Sequence, residues 1–344
     1  MKVFITGATG FLGKQVLNLL LSDQRIEQVD LVSRKKLTHP DPRVRVHQLD
    51  LSEPWSEYDF LEESDAIIHL AGLYDFKENF SQNYQQNVLP ILNLVDRVRD
   101  LKRKPAPPIL FASTYAVGFG GDQVLKEEPL KVLPPTYQSY AYTKAVAERA
   151  LTDSGLAAHI FRLGILVGDS VEGHFEKIDG PYYLMRFLET AKKLPLLRFL
   201  KRIPLPYSPN GFLPLVPVDS AARIFYEALF LPALLEGEQH YYGVFNPESV
   251  QVELLGRSIF KEFLPGAEPR PLHKEFPHWI EKNQTKLTGI PKEFFNFSIA
   301  PVMLENPKFV STFGAHRVPH FNEFRLTFFK GFHRCYKPNS AMAQ

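Results

Sequence analysis

Two residues near the middle of the chain, Tyr140 and Lys144, have the types and the spacing needed to move a proton. On a helix, residues four apart share one face, so the two side chains would point the same way. A lysine ammonium close to a phenol favours the phenolate and lowers the pKa of the tyrosine toward neutral pH. The pair therefore indicates general acid–base chemistry at a substrate oxygen, although the same spacing also occurs on ordinary helix surfaces.

A hydroxyl group stands upstream of this pair, where Ser113 and Thr114 close a predicted strand. A hydroxyl at a strand end can hold the oxygen of a substrate and stabilise the charge that develops on it. Both residues are therefore candidate catalytic residues.

The chain begins with a β-rich run over 2–6, which leads into Gly7, Gly10 and Gly13 in a Gly-x-x-Gly-x-x-Gly pattern. Gly7 permits a tight turn, Gly10 leaves room for a pyrophosphate, and Gly13 lets the next helix pack closely on the sheet. The N–H groups and the dipole at a helix N-terminus then face the anion. The pattern predicts a dinucleotide site, and a plain strand-to-helix turn is the alternative.

The choice of cofactor depends on the end of the second predicted strand, where Ser33 and Arg34 stand. Sites that prefer NAD usually carry an acidic residue there, which binds the 2′-hydroxyl of the ribose. Arg34 can instead pair with a 2′-phosphate. NADP is therefore favoured over NAD, and the alternative is that Arg34 belongs to a solvated loop.

Two further strand ends supply cofactor contacts. Asp50 and Leu51 follow the third predicted strand, and the carboxylate can accept from the adenine amino group. The small residues of Leu70-Ala71-Gly72 follow the fourth strand and let backbone lie against the cofactor. His69, just before them, sits in an apolar strand and is predicted to be a packing residue.

The order of predicted elements indicates an α/β fold, with short apolar strands alternating with amphipathic helices. The predicted strands cover 2–6, 28–33, 44–48, 66–70, 109–113 and 158–163, and the predicted helices cover 11–22, 85–102 and 138–152. This order predicts a doubly wound parallel sheet in a dinucleotide-binding domain over 1–169. A smaller substrate-binding region over 170–344 is expected to join the sheet through strands at 211–218 and 241–246.

Composition limits the classes of protein that remain. The net charge of +2 over 344 residues gives no field for nucleic acid, and the single cysteine, Cys335, gives no disulfide framework. The scattered histidines offer no metal site. The first residues lack the pattern of a signal peptide, and no apolar run is long enough to span a bilayer. A cytoplasmic protein is expected.

The glycine pattern, Ala71-Gly72, Asn87, Ser113-Thr114 and Tyr140-x-x-x-Lys144 together resemble the extended short-chain dehydrogenase/reductase superfamily across 1–165. The resemblance implies a Rossmann-type fold, a nicotinamide cofactor and a Ser/Thr–Tyr–Lys triad, with Lys144 also bound to the nicotinamide ribose. Counting from Gly118 selects Ser113 as the triad hydroxyl, and counting from Val117 selects Thr114, which is favoured. The predicted cofactor-binding residues are Gly7, Thr9, Gly10, Phe11, Leu12, Gly13, Ser33, Arg34, Asp50, Leu51, Leu70, Ala71, Gly72, Asn87, Tyr140, Lys144, Leu163, Gly164 and Ile165.

Three stretches of the second half, over 162–170, 179–183 and 217–219, resemble the thioester reductase and fatty acyl-CoA reductase branch. That resemblance implies NADPH-dependent reduction of an acyl thioester to an aldehyde or alcohol, with the triad protonating the hemithioacetal oxygen. The alternatives are a nucleotide-sugar epimerase or dehydratase, a 3β-hydroxysteroid-type dehydrogenase, and a non-catalytic NADP-sensing protein. The last would be expected to have lost the Tyr or the Lys.

Partners are predicted from the basic and apolar segment 191–206 and from the similar tail 325–337. Such segments can rest on a membrane surface, bind the phosphates of coenzyme A or a carrier, or simply cover the core with lysine and arginine stems. A hydrophobic substrate, free or delivered as acyl-CoA or on a carrier, is expected. The family resemblance also implies a homodimer through the helices at 85–102 and 138–152.

Overall fold

The computed structural model describes residues 1–55, 59–74, 79–120, 124–193, 200–272, 288–291, 295, 298–299 and 302–337. The chain divides into two compact units. The first comprises Met1–Leu163, Val218–Val244 and Leu304–Arg317, and the second comprises Gly164–Pro217, Phe245–Met303 and Val318–Gln344. Whether the functional boundary falls at residue 169 stays a prediction.

A seven-stranded parallel sheet forms the centre of the first unit. Its strands are β1 (Lys2–Thr6), β2 (Gln28–Ser33), β3 (Val44–Gln48), β4 (Ala66–His69), β5 (Ile109–Thr114), β6 (Ala158–Leu163) and β11 (Gln239–Val244). They are arranged in the order β11-β6-β5-β4-β1-β2-β3. The order reverses between β1 and β4, which is where a doubly wound sheet opens a crevice at its carboxyl edge. The predicted Rossmann-type α/β fold is confirmed.

Six helices accompany this sheet in the described part of the unit. They are α1 (Phe11–Ser22), α2 (Phe80–Asn87), α3 (Leu89–Arg99), α4 (Ser139–Asp153), α6 (Val218–Ala228) and α8 (Pro307–Phe313). The prediction of one helix over 85–102 is wrong, because α2 ends at Asn87 and α3 begins afresh with Pro90 in its first turn. Proline has no N–H to donate into a continuing helix but is well placed in a first turn.

The core of the first unit lies between the sheet and helices α3 and α4. Strand residues Phe4, Ile67 and Phe111 are fully buried there against Leu94 and Leu151 from the helices. Because the central strands carry apolar residues on both faces, each is an unbroken apolar run in the sequence. This pattern made the strands predictable.

The second unit contains three short two-stranded sheets and three helices in its described part. Its elements are β7 (Ile165–Val167), α5 (Tyr182–Ala191), β8 (Arg202–Pro206), β9 (Phe212–Leu213), β10 (Leu215–Pro217), β12 (Val250–Gln251), α7 (Val252–Phe263), β13 (Glu268–Leu272) and α9 (Phe321–Cys335). The pairs are β7 with β10, β8 with β13 and β9 with β12.

These pairs correct one prediction and agree with another. The segment 211–218 does not join the central sheet, because β9 and β10 pair with β12 and β7 and Pro214 interrupts the run between them. The segment 241–246 supplies most of β11, which pairs with β6 at the edge of the central sheet.

The aromatic residues of the C-terminal tail belong to the core of the second unit. Phe328, Phe329 and Phe332 of α9 are buried, and the ring of Phe332 stacks on Phe175 with centroids 6.1 Å apart. No described helix is both long enough and apolar enough to cross a bilayer.

Candidate cofactor and active site

The turn from β1 into α1 is built so tightly that only glycine fits at two of its positions. Gly7 has a φ of +72°, and a Cβ there would lie 2.6 Å from the backbone nitrogen of Ala71. A Cβ on Gly13 would lie 2.0 Å from the carbonyl oxygen of Gly7. The glycine pattern therefore brings the first helix turn directly onto the strand ends.

The start of α1 has the features of an anion site. Its N-cap, Gly10, has no side chain to cap the helix, and the first turn contains no acidic residue. Thr9 and Gly10 are exposed and Phe11 is partly exposed, whereas Leu12 is buried. The positive end of the helix thus has backbone N–H groups to offer a phosphate. These residues fit a dinucleotide.

Thr6 joins the ends of β1 and β4. Its hydroxyl lies 3.1 Å from Nδ1 of His69 and accepts a hydrogen bond from the N–H of Ala71 at 3.2 Å. Burial, with a smaller effect of the Lys144 charge, lowers the pKa of His69 to about 3. His69 is therefore neutral at physiological pH and buried, as expected for a packing residue.

Asn87 fixes the loop after β4. Its Oδ1 accepts from the N–H of Leu73 at 2.7 Å, and its Nδ2 donates to the carbonyl of Leu73 at 3.2 Å. A Cβ on Gly72 would lie 3.0 Å from the same Oδ1. Asn87 thus anchors the backbone of Leu73, which directly follows Leu70-Ala71-Gly72. Whether it also contacts the cofactor stays a prediction.

The residues proposed to choose the cofactor lie at the ends of β2 and β3. Arg34 is exposed, and the Ser33 hydroxyl accepts from the N–H of Lys35 at 3.2 Å. Hydrogen bonds from Ser52 hold the pKa of Asp50 below its ordinary value, and the Arg34 charge acts in the same direction. The carbonyl of Leu51 accepts from the Trp55 indole at 3.2 Å. The charge of Arg34, at the end of β2, therefore acts on Asp50, which follows β3.

Lys144 is buried at the centre of the site. Its Nζ donates to the carbonyl oxygen of Ala112 at 2.6 Å and lies 4.2 Å from the centroid of the Phe111 ring. Burial lowers the pKa of Lys144 to about 7, and the carboxylate of Glu148 acts against this shift. The ammonium is consequently fixed in place and close to its titration point.

Tyr140 lies one helical turn before Lys144, at the start of α4. Its ring is partly exposed and meets the ring of Tyr74 edge to face, with centroids 4.9 Å apart. The phenol therefore lies on the same helix face as the ammonium.

The two candidate hydroxyls at the end of β5 have different surroundings. The Ser113 hydroxyl donates to the carboxylate of Glu148. The Thr114 hydroxyl accepts from the N–H of Ala116 at 3.2 Å, which leaves its own hydrogen to be donated elsewhere. Successive side chains of a strand point to opposite faces, so the two hydroxyls cannot serve one site equally.

Leu163, Gly164 and Ile165 fall at the border of the two units. Leu163 ends β6 in the first unit, and Ile165 starts β7 in the second, where its N–H donates to the carbonyl of Pro214 at 2.7 Å. A Cβ on Gly164 would lie 2.2 Å from that same carbonyl. The three predicted cofactor contacts stay predictions.

Sequence reasoning missed the pairing of Glu148 with Arg162. Both are buried, and Nη2 of Arg162 binds the carboxylate of Glu148 at 2.8 Å. The guanidinium of Arg162 is committed to this ion pair. The missed signal is that Glu148 continues the four-residue spacing of Tyr140 and Lys144.

A comparison with known protein families agrees with the features of this site. The model of the NAD dependent epimerase/dehydratase family matches residues 3–201, which include the glycine turn, Tyr140 and Lys144. The chain belongs to this family. The predicted resemblance to the extended short-chain dehydrogenase/reductase superfamily is thereby confirmed.

Two curated relatives and one solved structure illustrate its place within the family. D-erythronate dehydrogenase of Haemophilus influenzae is 34% identical over 161 residues, which cover 44% of this chain and 50% of that protein. Adenylate-forming reductase Nps11 of Serpula lacrymans var. lacrymans is 27% identical over 330 residues, covering 85% of this chain and 28% of that protein. The chain therefore spans half or less of either relative.

The solved structure is the terminal R domain from the myxalamid PKS-NRPS biosynthetic pathway. It superposes with a TM-score of 0.73 at 20% identity and covers 97% of this chain and 90% of its own. At this identity the likeness shows the fold alone.

Proposed function

We propose that this chain is an NADPH-dependent oxidoreductase that reduces an apolar carbonyl compound, namely a fatty acyl thioester. One hydride and one proton would give a hemithioacetal, which releases the thiol to leave the aldehyde, and a second NADPH would reduce the aldehyde to the alcohol. The observation that carries the proposal is that the Lys144 ammonium is bonded to the end of β5, while Tyr140 lies one turn earlier on the same face of α4. Such a group of side chains is suited to giving a proton to an oxygen atom.

The cofactor is proposed to bind along the carboxyl edge of β1, β2 and β4. Gly7, Gly10 and Gly13 would hold the diphosphate, Arg34 the 2′-phosphate, and Lys144 the nicotinamide ribose. When bound, a reduced nicotinamide supplies the hydride for the carbonyl carbon. The tight glycine turn and the uncapped start of α1 support this assignment.

The chain's own residues would handle the substrate oxygen. Thr114 donates a hydrogen bond to that oxygen and orients it, because the Ser113 hydroxyl is occupied by Glu148. Tyr140 gives its proton to the oxygen as negative charge develops there. The Lys144 ammonium stabilises the phenolate that remains.

An apolar substrate is supported by a pocket inside the second unit. The pocket is partly open to solvent, and among the described residues its lining is almost wholly apolar. Its walls include Leu184, Leu205, Leu213, Leu255, Ile259 and Phe295. The Tyr207 hydroxyl in this wall donates to Glu253 at 2.7 Å. A pocket of this kind suits an alkyl chain better than a sugar.

A nucleotide-sugar epimerase or dehydratase is the second candidate, because the chain belongs to the NAD dependent epimerase/dehydratase family. A 3β-hydroxysteroid-type dehydrogenase is equally compatible with an apolar pocket. A non-catalytic NADP-sensing protein is disfavoured, because both Tyr140 and Lys144 are present and lie on one helix face.

The experiment is a substrate screen that follows NADPH absorbance. Acyl-CoA thioesters of several chain lengths, acyl-carrier thioesters, aldehydes, sterols and UDP-sugars are offered side by side, with NADPH and NADH in parallel. The proposal predicts oxidation with the thioesters and preference for NADPH. Turnover with UDP-sugars or sterols alone would reject the proposed substrate class.

A further inference from the structure

Glu148 lies one turn beyond Lys144 on α4, and its carboxylate is enclosed by hydrogen-bond donors. It accepts from the hydroxyl of Ser113, from Nε of Arg162 at 3.2 Å and from Nη2 of Arg162 at 2.8 Å. The side chains of Glu148 and Arg162 are each only 2% exposed. The ion pair is therefore held in one geometry.

Arg162 is itself fixed from the other side. Its Nη1 donates to the carbonyl oxygen of Lys126 at 2.6 Å, and its Nη2 donates to that of Glu128 at 2.9 Å. The guanidinium also lies 5.0 Å from the centroid of the Tyr241 ring. With each of its three nitrogens engaged, Arg162 is held in place to anchor the carboxylate.

The charged and titratable groups that face Lys144 in the described part of the chain come from three elements. Tyr140 and Glu148 lie on α4, His69 lies on β4, and Arg162 on β6 acts through Glu148. Burial keeps His69 neutral. Glu148 is thus the neighbouring group whose charge opposes the effect of burial on the pKa of Lys144.

We propose that Glu148 is a positioning residue of the proton-transfer site, and that its fixed carboxylate keeps the Lys144 ammonium charged. The same carboxylate holds the Ser113 hydroxyl, which leaves Thr114 as the hydroxyl that meets the substrate. The inference rests on the proposed function, in which the ammonium stabilises the Tyr140 phenolate, but its test needs neither cofactor nor substrate.

Stability alone does not account for an ion pair in this place. Removing two charges from water is costly, and apolar residues of similar volume often replace such pairs without loss. An apolar residue at position 148, however, would not attract the Lys144 ammonium one turn away, as a carboxylate does. The electrostatic effect on Lys144 therefore separates the proposal from a purely structural role.

The test is a pH titration followed by NMR in protein labelled with ¹³Cε-lysine, with the Lys144 signal assigned from a K144M variant. In E148Q the amide keeps the shape of the side chain and loses its charge. Lys144 is expected to titrate at least about one pH unit lower, because an opposite charge has been removed.

The matched control is E227Q. Glu227 pairs with Arg317 at 2.8 Å in the same unit, but both side chains are partly exposed. Loss of this carboxylate is expected to leave the titration of Lys144 unchanged. An equal shift in E227Q and E148Q would overturn the proposal, because the effect would then not be local.

A double variant, E148Q/R162Q, guards against misfolding, because E148Q leaves a buried guanidinium without its counter-charge. It is expected to melt at a higher temperature than E148Q while Lys144 still titrates below its wild-type value. If Lys144 titrates as in the wild type in both variants, Glu148 has only a structural role and the proposal is wrong. Failure of the wild type to oxidise NADPH would reject the proposed function separately.

Discussion

Lys144 donates a hydrogen bond from its Nζ to the carbonyl oxygen of Ala112 at 2.6 Å, and this bond joins helix α4 to the end of strand β5. The partner is a backbone atom, so it does not compete as a counter-ion. Because burial lowers the pKa of Lys144 to about 7, the charge on this group responds to small changes around it. The reactivity of the site should therefore depend on the few side chains that fix the β5 end.

The two hydroxyls at that strand end should separate by mutation. Thr114→Val removes the hydroxyl proposed to hold the substrate oxygen and should lower kcat about 10²- to 10³-fold. Ser113→Ala removes a donor to the buried Glu148 and should instead cost about 1–3 kcal/mol of unfolding free energy. Urea unfolding and steady-state kinetics of both variants check this. If Ser113→Ala alone abolishes turnover, the substrate oxygen is held by Ser113 and not by Thr114.

Two glycines of the first turn should fail in different ways. A Cβ on Gly13 would lie 2.0 Å from the Gly7 carbonyl, whereas one on Gly10 would lie 3.3 Å from it. Gly13→Ala should therefore lower the unfolding free energy by about 2 kcal/mol or more through overpacking. Gly10→Ala should fold nearly normally and weaken NADPH binding. Thermal melts and NADPH fluorescence titrations distinguish the two, and equal losses of stability would speak against the geometry.

Arg34 should set the preference between NADPH and NADH. Its side chain is exposed at the end of β2, where a 2′-phosphate would lie in a dinucleotide site. Loss of a charge-assisted hydrogen bond in Arg34→Ala should weaken NADPH binding about tenfold or more and leave NADH binding nearly unchanged. Arg45→Ala, an exposed arginine on β3, is the control. Equal weakening of both cofactors by Arg34→Ala would remove the argument for NADP.

His159 should make the protein sensitive to acid. It is fully buried in β6, and burial lowers its pKa to about 4. The unfolded chain takes up the same proton near pH 6.5. The contribution of His159 to the free energy of unfolding is therefore fully present above pH 6.5 and is lost as the pH drops toward 4.

The variant His159→Phe should abolish this contribution, which amounts to about 2 kcal/mol at pH 5. Urea unfolding at pH 7.5 and pH 5 measures it, with the exposed His316→Phe as control. If the wild type and His159→Phe lose the same stability between the two pH values, His159 does not titrate as described.

The sheet could be predicted from sequence because its strands are apolar on both faces, as in Phe4 and Ile67. The break between α2 and α3 was missed because the apolar spacing continues across Asn87 and Leu89, although Pro90 marks it. The placement of β9 and β10 could not be predicted, because pairing partners of two- and three-residue strands depend on distant parts of the chain.

Within the site, Tyr140 and Lys144 were visible from their spacing, and the structure shows that they share one face of α4. The different surroundings of Ser113 and Thr114 could not be read from sequence. Their separation depends on Glu148 and Arg162, which meet only when β6 lies beside β5. Neighbouring residues in a strand look equivalent until the elements on each face are known.

The most direct test of the central claim is the rate of thioester-dependent NADPH oxidation by Tyr140→Phe. The claim predicts a fall of about 10²- to 10⁴-fold relative to the wild type, with NADPH affinity nearly unchanged and with Tyr142→Phe, on the same helix, as active as the wild type. A Tyr140→Phe variant that oxidises NADPH at the wild-type rate would contradict the account.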